Sequence, residues 1–295
     1  MQKIVPHLWF DKDAEEAADF YMSLFKDARR IDKTVFNDTP SGTAYTITVE
    51  LGGQEFILLY GGPYVTFNPS ISFLINCDTV EETELIWERL MDQGQELMPF
   101  GDYPFSRKYG WVIDKFGLSW QVMYNEHLKN RPKLIPTLMY VGDQCGKAEE
   151  AMLFYLSIFE NAKPGGILRY GQSASPDQPG TVQHEEFTLE NLLFAAMDSA
   201  RGHDFGFNDA ISFVVNCDTQ EEIDYYWNKL SAVPEAEQCG WIKDRYGMSW
   251  QIVPNALYAM MMDTDSKRSA RVSAEVLKMK KLDLEALMKA YDNQE

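Results

Sequence analysis

Basic charge, histidine and cysteine are scarce in this sequence. Its 295 residues carry 27 Lys and Arg against 45 Asp and Glu, a formal net charge of −18. A surface this acidic repels phosphate backbones and anionic lipid, which argues against nucleic acid or a membrane surface as a main partner. No stretch approaches the roughly 18 uninterrupted apolar residues of a membrane span. The N-terminal "MQKIVPHLWFDKDAEE" has no long apolar run and turns acidic at once, unlike a secretory leader, so the expected location is the cytoplasm. The four cysteines, Cys77, Cys145, Cys217 and Cys239, form no CxxC pair, and no Ser-His-Asp order or activated-cysteine context stands out. What is present is 45% apolar residues, enough for sizeable cores in a chain long enough for two domains. Overall acidity leaves small-molecule ligands open, because a pocket can differ from the surface around it.

The chain repeats itself. "EEAADFYMSLF" (15–25) returns as "EEAMLFYLSIF" (149–159), and "NPSISFLINCDTVEETELIWERL" (68–90) as "NDAISFVVNCDTQEEIDYYWNKL" (208–230). "GWVIDKFGLSWQVMYN" (110–125) returns as "GWIKDRYGMSWQIVPN" (240–255). The order is the same in both halves and the offset stays between 130 and 140, too long for a solenoid, so two homologous domains are expected. We place them at 1–128 and 134–258, joined near the polar, proline-bearing "KNRPKLIPT" (129–137), with a helical tail at 259–295. Cys77 and Cys217 fall at equivalent places in "NCDT", which points to small packed residues and not to a disulfide.

Each half parses into two similar units. A strand, "IVPHLWF" (4–10), precedes a helix that Asp13 can cap with Glu16 three residues on; Ala17, Phe20, Tyr21, Leu24 and Phe25 form its apolar stripe. "AYTITVEL" (44–51) and "QEFILLY" (54–60) flank Gly52-Gly53, a tight-hairpin signal. The second unit repeats the plan: strand 70–76, a helix opened by Thr79 with Glu82, then strands 109–114 and 118–124 paired across "DKFG". A unit is therefore strand, helix and about three strands, and four units make the chain. From Ala256 onward helix formers dominate, with Val276, Leu277, Met279, Leu284, Leu287, Met288 and Tyr291 as apolar positions and Asp283 as a restart cap; the expectation is a helix docked on its own domains or on a dimer mate.

As a set, the proline-led first strand, "EEAxxFYxSxF", "ISFxxNCDTxEE" and "GWxxDxxGxSWQ" resemble the PhnB-like, 3-demethylubiquinone-methyltransferase-named branch of the vicinal oxygen chelate superfamily, that of glyoxalase I, extradiol dioxygenases and bleomycin-resistance proteins. The resemblance covers almost the whole chain, twice. It implies an α+β fold of tandem glyoxalase-like domains: four βαβββ units, two curled mixed sheets around clefts, and two halves pairing as a pseudo-dimer within one chain, which leaves monomer or homodimer open. The family name suggests methyl transfer. That is not carried over, because "FDKDAEEA" follows the first strand where a methyl-donor site would need a glycine-rich turn.

The resemblance also implies a divalent metal held by a histidine on a unit's first strand and a glutamate on its last. The histidine position falls on Pro6 and Pro136, one residue before His7 and Thr137, and a one-residue step in a strand turns a side chain to the other face. His7 is thus a weak candidate ligand, expected to point away from the cleft. The matching positions in the other units hold Ser70, Ile71, Ala210 and Ile211, and the glutamate positions read Gln121 and Gln251, or Leu58, Leu59, Ala196 and Met197. No cofactor is expected, a divalent metal remaining the alternative. His127, His203, and His184 with Glu186 on one strand face do not complete a set.

Candidate ligand-binding residues are Gln121 and Gln251, whose amides can orient a polar ligand, and Trp120 and Trp250 beside them, which alternation sends to the opposite face and which can equally be core. An insertion in the first half, "FGDYPFSRKYGW" (100–111), adds Tyr103, Phe105 and Arg107, a rare basic spot suited to an anion. Three functions compete: a small-molecule binder of the glyoxalase fold without the standard metal site, a metal-dependent enzyme on a substrate with adjacent oxygens, and a partner binder through the tail.

Overall fold

The computed structural model describes residues 2–39, 42–126 and 131–293. The first unit is β1 (Ile4–Phe10), α1 (Ala14–Leu24), β2 (Arg29–Thr39), β3 (Gly42–Leu51) and β4 (Gln54–Tyr60). The second is β5 (Ile71–Cys77), α2 (Val80–Met91), β6 (Gln95–Tyr103), β7 (Ser106–Ile113) and β8 (Ser119–Tyr124). The third is β9 (Leu134–Val141), α3 (Ala148–Leu156), β10 (Ala162–Arg169), β11 (Val182–Leu189) and β12 (Leu192–Ser199). The fourth has β13 (Ile211–Cys217), α4 (Gln220–Leu230), β14 (Trp241–Lys243) and β15 (Ser249–Pro254), one strand short of the plan because "PEAEQCGW" is too brief for a further strand and its return.

Local chemistry explains the elements. Gly52 and Gly53 adopt φ of +55° and +82°, the left-handed pair that a two-residue hairpin needs. Thr79 accepts from the Glu82 N–H at 3.1 Å while Glu82 accepts from the Asp78 N–H at 2.8 Å, and Thr219 with Glu222 repeats the pattern. Asp13 differs from its expected role. Its φ of −97° and ψ of 16° are not the extended conformation of a capping residue, and its side chain makes no cap bond.

The chain forms two mixed sheets, ordered β14-β15-β13-β1-β4-β3-β2 and β10-β11-β12-β9-β5-β8-β7-β6. The 1–128 and 134–258 division describes the sequence repeat; in space the grouping is crossed. The first sheet joins units one and four through antiparallel β1 and β13, with Pro6 opposite Phe213; the second joins units two and three through β5 and β9, with Phe73 opposite Pro136. Each sheet, and each cleft on it, is therefore shared by both halves of the sequence. No sheet is built from the two units of one half, and the chain is a pseudo-dimer of its own halves.

One core lies between the sheets, with α1 to α4 contributing to it. Phe56 of the first sheet meets Phe73 of the second at 5.2 Å, and Phe194 meets Phe213 at 5.1 Å. Cys77 and Cys217 are fully buried there as free thiols pushed up to about 12 by burial.

After β15 come α5 (Asn255–Met261), which runs across the expected boundary at 258 and belongs with the tail, then α6 (Ser266–Val276) and α7 (Leu284–Asp292). Asp283 caps α7 by accepting from the Ala286 N–H, as expected. The tail docks on its own chain: Met279 and Lys280 carbonyls accept from the Cys239 and Gly240 N–H groups, both at 2.8 Å, and Gln220 bonds Leu282 and Leu284. Among the described residues, no helix is long and apolar enough to cross a membrane.

Candidate functional site

The repeated "DxxGxSW" segment has a structural use in both copies. Asp114 accepts four hydrogen bonds, from Tyr21 Oη (2.8 Å), Trp120 Nε1 (2.8 Å), and the Phe116 and Leu118 N–H groups. Asp244 does the same for Tyr155 (2.7 Å), Trp250 (2.9 Å), Tyr246 N–H and Met248 N–H. Each carboxylate ties the helix of its half's first unit to the turn of its second. Burial pushes both carboxyls up and the donors pull them down. Trp120 and Trp250 are fully buried core residues whose indoles serve these hubs; they line no cleft, which corrects their place among the ligand-binding candidates.

Gln121 and Gln251 face the other way, as strand alternation requires, onto the outer faces of the sheets. Gln121 Nε2 donates to Ser72 Oγ at 2.9 Å, and Gln251 Nε2 to Ser212 Oγ at 3.0 Å. Beyond that shared bond the two clefts part. Over the second sheet, Tyr109 donates its hydroxyl to Gln121 Oε1 at 2.7 Å, and Trp111 Nε1 donates to Ser119 Oγ at 2.7 Å. The β6–β7 hairpin packs Tyr103 and Phe105 on the Tyr109 ring at 5.3 and 5.0 Å, above Leu74, Ile135 and Ala195. This cleft is filled by the protein's own side chains. Tyr103 donates to the Pro99 carbonyl, and Arg107 is exposed beside Glu126 at 3.5 Å, so neither joins Gln251 in a common site.

Over the first sheet a cavity of about 200 Å³ remains. Its floor is Ile57, Leu59, Val214 and Val253; Asp32, Thr34, Thr46 and Thr48 rise on β2 and β3, and His7, Trp241 and Gln251 stand at its centre strands. Leu257, Tyr258, Met261, Val276 and Leu282 of the tail roof it. His7 thus faces the cleft, against expectation. β1 has no bulge, Ile4, Leu8 and Phe10 turn to the core, and simple alternation sends Val5 and His7 outward. The His7 ring meets Trp241 edge-on at 5.5 Å, its Nδ1 is buried without a partner, and burial pushes its pKa down to about 3, so the imidazole is neutral. Among the described residues no donor reaches Gln251 Oε1. The Ser249 hydroxyl turns to Asp209 at 2.6 Å, and among the described residues the Trp241 indole N–H has no acceptor, unlike its counterpart Trp111.

The donor set does not fit the metal site that the superfamily implies. His7 and the neutral Gln251 amide share the cavity, yet the adjoining β4 positions are Ile57 and Leu59, and among the described residues no three His, Cys, Asp or Glu converge on a point. Glu186 is occupied by His184 at 3.4 Å and by Arg131, and these hydrogen bonds, His184 first, hold it down to about 2 against the effect of burial; His203 bonds Ser199 at 2.8 Å. His127 lies outside the described residues.

The family model of 3-demethylubiquinone-9 3-methyltransferase matches residues 2–123 and again 132–253. The chain belongs to that family. Among solved structures, a PhnB protein from Bacillus cereus is 37% identical over 42% of this chain and 100% of its own, with a TM-score of 0.39. Glyoxalase I from Zea mays is 12% identical over 86% of this chain and 94% of its own, with a TM-score of 0.53, which shows the shared glyoxalase fold. No curated protein matches. In this family member, reading the sequence singled out Gln251 and expected His7 to face away from the cleft that it lines, and it did not single out Trp241, the threonines of β2 and β3, or the roof residues Leu257, Tyr258 and Met261. Cys239 standing where the first half has Tyr109, beside the 100–111 insertion, was a visible sign that the two clefts differ.

Proposed function

We propose that this protein binds a small neutral molecule in the cleft over the first sheet, under the roof of the C-terminal tail, without a bound metal. The observation that carries this reading is the contrast between two clefts built on one plan. In the closed cleft Gln121 Oε1 and Trp111 Nε1 meet protein partners; in the open one, among the described residues, Gln251 Oε1 and Trp241 Nε1 meet none and His7 Nδ1 is buried without one. Unmatched polar groups in a mostly apolar hollow are what fix a ligand's orientation. The volume, below the roughly 300–1,000 Å³ of sites for drug-sized molecules, restricts the ligand to a compact one. Methyl transfer is not supported: β1 runs into α1 through Asp11, Lys12 and Asp13, with no glycine-rich turn for a donor.

A thermal-shift screen of small neutral compounds tests this reading, since a ligand of the native state raises its stability. Hits should vanish in Val214→Phe, which fills the floor, and persist in Arg107→Ala. Hits that ignore Val214→Phe would place binding elsewhere. The alternative, a metal-dependent enzyme of the glyoxalase or dioxygenase type, has His7 and Gln251 in its favour. Elemental analysis of protein purified without chelator decides between them: a stoichiometric metal lost in His7→Ala and in Gln251→Ala would replace the binding reading.

A further inference from the structure

The closed cleft contains, in covalent form, a template for what the open cleft takes. Superposing the strand registers sets Gln121 against Gln251, Leu74 against Val214, Met123 against Val253 and Ala195 against Ile57. On this common floor the closed cleft seats a phenol, the Tyr109 side chain, whose hydroxyl donates to Gln121 Oε1 at 2.7 Å. The equivalent position in the other half is Cys239, which cannot supply a ring or reach the amide with a hydroxyl. Tyr258 covers part of the apolar floor there, yet among the described residues no donor arrives at Gln251 Oε1. We propose that the ligand of the open cleft is a neutral one-ring phenol, bound with its hydroxyl donated to Gln251 Oε1; this rests on the binding reading above and names its ligand class.

Three further observations converge on that class. Gln251 is more than nine-tenths buried and its Nε2 is already committed to Ser212, so the amide is held with its oxygen as the free end, an acceptor awaiting a donor. A cavity of about 200 Å³ is of the order of the dry ~150 Å³ hollow that accepts benzene, which fits one ring. Asp32 is the one charged side chain on the lining and no Lys or Arg joins it among the described residues, so a carboxylate or phenolate would enter beside negative charge with nothing to offset it.

The test compares phenol, anisole and benzoate on the full-length protein by calorimetry and by Trp fluorescence. Anisole keeps the ring and oxygen but has no proton to donate. Phenol should bind about tenfold more tightly than anisole, the factor for one hydrogen bond, and benzoate should bind more weakly than either. Gln251→Met, which keeps the length and removes the acceptor, should bring the phenol-to-anisole ratio close to one. Tyr109→Ala, by emptying the template position, should raise phenol stoichiometry from one to two per chain. Where either variant fails to fold, the ratio in the unaltered protein still decides. Equal binding of phenol and anisole, or preference for benzoate, overturns the phenol assignment while leaving the cleft as a binding site. Binding of none of the three, alongside screen hits that Val214→Phe abolishes, overturns the phenol assignment alone; no hits of any kind overturn both.

Discussion

Glu185 of β11 is fully buried, and neither carboxyl oxygen has a hydrogen-bond partner. Burial, and then the charges of Asp198 and Glu149 against the opposing Arg169, raises its pKa from 4.5 to about 8. The unfolded chain releases this proton near pH 4.5 and the folded protein only near pH 8. Between those values the folded state binds more protons, so this contribution is complete below pH 4.5, declines as pH rises, and is gone above pH 8. Each pH unit in the window corresponds to ~1.4 kcal/mol, so the interval from 4.5 to 7 sets a ceiling of about 3 kcal/mol. Solvent near the exposed Arg169–Glu149 pair screens part of this, leaving about 2 kcal/mol. Glu185→Gln keeps the shape and removes the titration. Urea unfolding of variant and parent from pH 4.5 to 7 should show a stability difference that grows in the variant's favour by about 2 kcal/mol. A difference constant to within about 0.5 kcal/mol across that range would show that Glu185 is not a buried protonated acid.

His7 acts with the opposite sign. Its folded pKa is lowered from 6.5 to about 3, so its stabilising contribution is present above pH 6.5 and lost as pH falls; His7→Gln should flatten the decline of Tm between pH 6.5 and 4, and an unchanged decline would refute burial of a neutral imidazole. Trp120→Phe removes one charge-assisted bond to buried Asp114 and should lower stability by about 1–3 kcal/mol in urea, with Trp250→Phe close to it because the hubs match. Gly110→Ala would set a methyl carbon 2.4 Å from the Trp87 ring, and about 1–3 kcal/mol of destabilisation is expected by the same measurement.

Much of the fold was legible because it is written in short-range signals. The "NCDT" caps, the Gly52-Gly53 hairpin and the Asp283 restart each depend on residues within four positions of one another, and each stands in the structure where the spacing placed it. The pairing of units was not legible. Which first strand joins β1 is settled by contacts more than 200 residues apart, such as Pro6 with Phe213, and both candidates, β5 and β13, carry nearly the same letters. The facing of His7 was misread for a narrower reason. Counting back from the helix fixed a position relative to α1, whereas the core-facing Ile4, Leu8 and Phe10 fix the face directly. Trp120 and Gln121 were correctly expected on opposite faces; that the indole meets Asp114 in the core needed the turn geometry of "DKFG".

Gln121 and Gln251 show why near-identical segments can differ in use. Both sit in "SWQ", both hold Ser Oγ through Nε2, and both occupy the last strand of a unit. What separates them lies elsewhere in the chain: a tyrosine or a cysteine at the paired strand, a long hairpin or a helical tail above. The closed cleft shows that this scaffold can satisfy the amide oxygen with one tyrosine. The open cleft places a histidine where the other has Thr137, leaves the amide oxygen and the indole N–H without a partner among the described residues, and lies under a tail whose Leu282 and Leu287 are buried. Duplication would allow both states to coexist on the proposed reading: with one copy closed by its own side chains, the other is free to keep its polar atoms for the ligand proposed above.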